Sequence, residues 1–295
     1  MQISVTQHAV ALTLALIDIL VRARRIRVLL PGSIWSAALI NTCGDALAGM
    51  TPARWGGEPL RFLAFRHGGA SGRRVFAAFA TELCVDAVVI LIIGLVLGRW
   101  VGMVSASWMH RVAILMTPPV ARVVAIVIIG VTALGIVLVG RLRRLLGPRH
   151  SYAGWLHDAF RRAPAILIQL SLWTAISMVS RAALLPVLAA SVPGTNLGTL
   201  FVGSFTLLFA QSFLPMPGGA GVVDVAFAAL FTPALVTRAV GQLLLAWRFY
   251  TWGLAALAAT PAFWVSLRRG VLKRAPREPA TLGQRDDPQV AERLD

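Results

Sequence analysis

Charge is scarce in this chain of 295 residues: 14% of them are Asp, Glu, Lys or Arg, against about a quarter in an ordinary soluble domain. Acids are scarcer still. Twelve carboxylates stand against 28 basic residues, and every base but Lys273 is an arginine. The two cysteines, Cys43 and Cys84, lie in apolar sequence without metal-ligand spacing, which excludes a disulfide framework or a zinc site. There is no G-x-x-x-x-G-K-[ST], no H-E-x-x-H and no nucleophile elbow, and the five histidines are scattered. ATP hydrolysis and the common metal and nucleophile chemistries are therefore not expected of this chain. No cofactor is called for, and the expectation is a protein that is not an enzyme. The first apolar stretch lacks a basic leader and ends in Arg22-Ala-Arg24-Arg25, not in a small-residue cleavage site, so no cleavable signal peptide is expected.

What is abundant is apolar sequence. Hydrophobic residues make up 57% of the chain and the mean hydropathy is +0.75. Several runs reach the roughly 20 residues that cross a bilayer. This composition predicts an integral membrane protein. The net charge of +16 would suggest nucleic acid in a soluble protein, but here the arginines bunch at the ends of apolar segments, so membrane lipids, not nucleic acid, are the expected partners.

The hydropathy pattern predicts a first helix over 5–21, closed by Arg22, Arg24, Arg25 and Arg27, and a shorter one over 33–49. That second helix breaks at Thr51-Pro52-Ala-Arg54-Trp-Gly56-Gly57-Glu58-Pro59-Leu-Arg61. Further helices are expected over 75–98, 119–140 and 163–190, with an interfacial stretch at 151–162. A short segment over 198–213 breaks at Leu214-Pro-Met-Pro217-Gly218-Gly219, and 239–266 spans last. Residues 1–275 read as a single transmembrane domain and 276–295 as a polar, disordered cytoplasmic tail.

Basic residues set the orientation. The runs 22–27, 54–74, 141–162 and 268–293 hold 22 of the 28, so all four are expected on the cytoplasmic side. Two of them flank the 33–49 helix, which must then enter the membrane and return. By the same logic the 198–232 region enters and returns from the other face. The fold class expected is all-α: a polytopic helical membrane protein, an inverted-repeat bundle with two re-entrant broken helices. Short, Pro/Gly-interrupted apolar segments in corresponding positions of two halves point to a transporter site.

The first break places Arg54, Glu58 and Arg61 beside Gly56 and Gly57. Glycine lets backbone amides approach an anion, and a helix starting there offers its positive end. Arg54 and Arg61 suit a phosphate, with Glu58 paired to one of them or to a cationic headgroup; a capped cytosolic turn is the bland alternative. The second break, Pro215 to Asp224, offers Pro217, Gly218, Gly219 and Asp224, or else a helix-packing glycine cluster. Acids inside apolar helices are functional candidates by default. Glu82 and Asp86 share a helix face at i and i+4, to share a proton or pair with Arg181 or Arg248. Asp18, four residues before Arg22, reads as a helix-stabilising pair; Asp45 is unassigned.

These motifs resemble a family, the lysylphosphatidylglycerol synthase transmembrane-region or flippase-like membrane proteins. The resemblance rests on Ala23-Arg24-Arg25-Ile-Arg27, Asn41, Thr51-Pro-Ala-Arg54 to Arg61, Glu82 and Asp86, Pro215-Met-Pro217-Gly-Gly-Ala-Gly221 and Arg248. The family often carries Glu where Asp224 stands, and a further helix before the arginine-ended one, which would make this start internal or the chain a short variant. The basic run 268–293 puts the expected C-terminus in the cytoplasm. The resemblance implies an inner-membrane protein that moves an anionic or aminoacylated phospholipid or related lipid between leaflets. It also implies a stand-alone member without a synthase domain, as a homo-oligomer or with a lipid-synthesis enzyme as partner. The competing readings are a secondary transporter of a small anion, a membrane-embedded transferase, and a non-catalytic accessory subunit of a lipid-modifying pathway.

Overall fold

A computed structural model describes residues 3–52, 54–104, 164–211, 214, 216–231 and 237–268. The helix expected over 119–140, the interfacial stretch at 151–162, Pro215 and the tail from 276 lie outside the described residues. The described elements are helical, with no strand among them.

Helix α1 spans Val5–Leu29. A capping box starts it: the Ser4 side chain accepts from the Gln7 amide, and Gln7 accepts from the Ser4 amide at 2.8 Å. It does not stop at Arg22, as the charge run suggested. Arginine is a good helix former, and the first breaker is Pro31-Gly32, so Arg22, Arg24, Arg25 and Arg27 all lie inside the helix. Helix α2, Ile34–Met50, is capped by Ser33 and ends where Thr51 turns extended. The following Pro52 disfavours helical geometry at that residue. Helix α3, Gly57–His67, follows the break, and α4 runs Gly72–Val104.

Helix α5 is Pro164–Leu188, and α6, Leu197–Ala210, is capped by Asn196. A short α7, Val222–Ala228, follows the second break. Last come α8, Thr237–Arg248, a π-helical turn over Phe249–Gly253 and α9, Leu254–Arg268, which continue one another. Trp252 in the π turn donates to the Ala46 carbonyl at 3.0 Å and lies over Gly49, tying this last helix to α2.

The most extensive pairing is α1 with α5. They run antiparallel: Gln7 donates to the Leu188 carbonyl while Arg25, far along α1, reaches Thr174. Apolar packing divides into two clusters. One gathers Ile26 and Leu29 of α1 with Val75 and Ala78 of α4 and Leu170 of α5; the other gathers Leu184 and Leu188 of α5 with Phe227 of α7 and Leu243 and Trp247 of α8. Outward, α4 exposes Leu83, Val88, Leu91, Ile92, Leu95 and Val96. A contiguous apolar face of that kind suits lipid and not water. The stretches Gly72–Leu97 and Ala165–Leu188 are long and apolar enough to cross a membrane.

The two breaks meet. Pro52 and Pro217 form an isolated antiparallel bridge, joining chain segments 165 residues apart.

Candidate functional site

Three groups of charges lie among these helices. The first is built on Glu82, whose two carboxylate oxygens are shared out: Oε1 accepts from Arg25 Nε at 2.9 Å and Oε2 from Arg61 Nη2 at 2.6 Å. Arg25 also bonds Asp86, and donates to Thr174 Oγ1 at 2.8 Å. Arg61 donates to Asn41 Oδ1 at 3.0 Å and to Glu58 Oε1 at 2.8 Å, and its guanidinium lies over the Phe79 ring. Arg25, Arg61 and Glu82 are buried, whereas the Glu58 side chain is 61% exposed. Glu82 and Asp86 thus share a face, as the i, i+4 spacing requires. Their partners are Arg25 and Arg61, not the expected Arg181 or Arg248.

Close backbone contact makes this group possible. A Cβ on Gly57 would come to 2.7 Å from the Gly44 carbonyl, and one on Gly44 would meet the Arg61 stem at 2.6 Å. The pair of glycines lets α3 lie against α2 so that Arg61 crosses to Asn41. Gly56 is also occupied, since its amide donates to Thr51 Oγ1 at 2.9 Å. The expected amide cradle for an anion at Gly56 and Gly57 is therefore not what the structure displays; the amide of the first is engaged and the second is buried in a helix contact.

The second group centres on Asp45. Arg22 bonds it, Arg181 Nη2 donates to it at 3.2 Å, and Arg54 Nη2 stands 3.6 Å away. Asp18 accepts from Arg181 Nε at 2.8 Å and from Ser177, with Arg22 only at 3.9 Å. The helix pair expected of Asp18 and Arg22 is thus secondary to a cross-helix pair with Arg181. Arg54 has φ +61°, a left-handed conformation rare for a side-chain-bearing residue. It turns to Asp45 while Arg61 turns to Glu82, so the two arginines of the first break serve different carboxylates. Beside this group lies a cavity of about 20 Å³, lined by Asp18, Asp45, Arg181, Thr42, Tyr250 and Thr251 among others, room for about one water molecule.

The third group holds the second break. Arg248 Nη2 donates to Asp224 Oδ1 at 2.6 Å and Nη1 to the Gly218 carbonyl at 2.6 Å. Asp224 Oδ2 accepts from the Gly221 amide at 3.0 Å. Gly218, Gly219 and Gly221 all have positive φ, +55°, +69° and +82°, which explains the glycines at this turn. A Cβ on Gly218 would lie 3.2 Å from the Gly49 carbonyl, so this break abuts the end of α2.

The site residues expected from the sequence did not include Arg22, Arg25, Asn41, Thr174 or Ser177, although Arg25 and Asn41 carry the family resemblance, and Asp18 and Asp45 had no site role. One signal was present: positions 18, 22 and 25 follow i, i+4, i+7 and so share one face of α1. Among the described residues no group of three or more His, Cys, Asp and Glu is placed to hold a metal ion.

With this geometry in hand, one comparison decides the family. The family described as the lysylphosphatidylglycerol synthase TM region matches residues 2–259. The chain belongs to that family. No curated protein and no solved structure matches it. For a member of the lysylphosphatidylglycerol synthase TM-region family, the apolar outer face of α4 suits a membrane-facing surface.

Proposed function

We propose that this chain is a lipid translocase, moving an anionic or aminoacylated phospholipid, or a related lipid, between leaflets. The observation that carries the reading is the meeting of two helix breaks at Pro52 and Pro217 beside three groups of paired arginines and carboxylates. Irregular backbone at membrane depth persists only where protein buries it or where it lines a cavity. A charged headgroup crossing the bilayer needs such a lining, because each intramembrane charge needs a partner.

In this reading α2–α3 is a re-entrant hairpin opening to the cytoplasm and α6–α7 its inverted counterpart opening outward. The protein is multi-pass in the inner membrane, its C-terminus cytoplasmic, and acts without catalysis. Without a nucleotide site, transport runs downhill or is coupled to an ion gradient. Lipids are the partners, with a second copy or a lipid-synthesis enzyme as further candidates. Cysteines placed singly at residues 193 and 270 are expected to label from opposite faces of sealed vesicles; labelling from one face overturns the topology.

The function is tested by leaflet exchange of a fluorescent phospholipid panel in proteoliposomes. Glu58 is the exposed acid of the first group; Arg61 engages its Oε1, and its exposure leaves it the acid best placed to meet a headgroup. Glu58→Gln is expected to slow exchange by roughly tenfold or more, the scale of one charge-assisted hydrogen bond, with insertion unchanged. Exchange at the wild-type rate removes Glu58 from the path. No exchange of any lipid by folded wild-type protein overturns the translocase in favour of a small-anion transporter or an accessory subunit.

A further inference from the structure

We infer that Arg54, backed by Arg181 and Arg22, is a subsite for one phosphodiester anion, the link shared by phospholipid headgroups, and that Asp45 is the resident counter-ion with which it competes. The lipid as source of that phosphodiester rests on the translocase reading; the subsite itself rests on the geometry of the group.

Three arginines from three separate elements, α1, the first break and α5, converge on one carboxylate. With Asp18 included, the group holds three guanidinium charges against two carboxylates. One monoanion more makes it neutral. The adjoining group has the opposite imbalance, Arg25 and Arg61 against Glu58, Glu82 and Asp86, and its surplus acid, Glu58, is the exposed one.

Arg54 is the member least committed. Its contact with Asp45, at 3.6 Å, is longer than the 2.7–3.2 Å of an N–H···O hydrogen bond. Among the described residues it has no other ion pair. Its planar fork of N–H donors is thus available, and two non-bridging phosphate oxygens match such a fork. The residue sits in the break that touches Pro217, in a left-handed conformation, so the fold holds an arginine here at a conformational cost. The cavity beside the group, lined by Asp18, Asp45 and Arg181, adjoins the same carboxylate.

The test is calorimetric binding to the full chain in a phosphate-free maltoside detergent. The probes are dihexanoyl phosphatidylglycerol, dihexanoylglycerol and inorganic phosphate. Wild type is expected to bind the phospholipid roughly tenfold or more tightly than either other probe. Arg54→Gly suits the left-handed backbone, so it is expected to keep or raise Tm while binding the phospholipid roughly tenfold more weakly. Asp45→Asn, where folded, is expected to bind it roughly tenfold more tightly, since the competing carboxylate is gone. Unchanged binding by Arg54→Gly, or weaker binding by folded Asp45→Asn, overturns the subsite. Inorganic phosphate bound as tightly as the phospholipid overturns the lipid source and makes the site one for a soluble anion. Leaflet exchange by the same proteins separates the two readings. Binding without wild-type exchange defeats the translocase and leaves the subsite standing, whereas exchange indifferent to Arg54→Gly defeats the subsite and leaves the translocase.

Discussion

Glu82→Gln is expected to give little or no folded protein. Both oxygens of the buried Glu82 carboxylate are in use, one on Arg25 and one on Arg61. Glutamine has nearly the same shape, but it presents an NH₂ to one of two guanidinium groups at 5% side-chain exposure, and it leaves Arg25 with Asp86 alone and Arg61 with the exposed Glu58 alone as counter-charges. Removing one partner of a buried pair costs about 3–5 kcal/mol, a large share of the roughly 5–15 kcal/mol that separates a folded domain from its unfolded chain. The measurement is the recovery of monodisperse protein in detergent, with Tm where any is recovered. Asp86→Asn is the control. Asp86 is 31% exposed on its side chain, and Asn keeps an acceptor for Arg25 and Thr174, so a much smaller loss is expected. Equal stability of Glu82→Gln and wild type would show that Glu82 does not hold the two arginines.

Gly57→Val has the second largest expected effect, and by a different route. No charge is lost. The new Cβ would start 2.7 Å from the Gly44 carbonyl oxygen and 2.9 Å from the Ala48 Cβ, and backbone cannot rotate away as a side chain can. Helices α2 and α3 must separate. Overpacking costs about 1–3 kcal/mol by itself, and the separation also pulls Arg61 from Asn41 and Glu82. The expected result is a Tm well below wild type with loss of lipid exchange. Gly57→Ala should show the same in weaker form. A Gly57→Val protein with wild-type Tm would mean that the two helices do not approach as described.

The placement of the breaks was legible in the sequence because proline and glycine act locally. Thr51-Pro52 ended a helix at the expected place, and Pro217-Gly218-Gly219 lies in the turn between α6 and α7. The all-helical class followed from composition just as directly. The partners of the charges were not legible. Hydrophobic periodicity tells which face of its own helix a residue occupies; it does not tell which helix covers that face. Arg25 was read as a rim residue because it follows an apolar run, yet α1 continues through it to Leu29 and turns it onto Glu82. Asp45 was unreadable for the same reason, since its partners come from positions 22, 54 and 181.

The buried charges of α1 also impose an order on biosynthesis. Asp18, Arg22 and Arg25 leave the ribosome first, but their partners include Asp45, Glu82 and Arg181. The last of these is translated 163 residues after Asp18. At roughly 5–20 residues per second that is an interval on the order of 10 s. For that time α1 is a helix with three ionic residues and an incomplete set of partners, a poor candidate for release into lipid on its own. Its final seating must wait for α5, so the N-terminal helix is the first made and among the last settled.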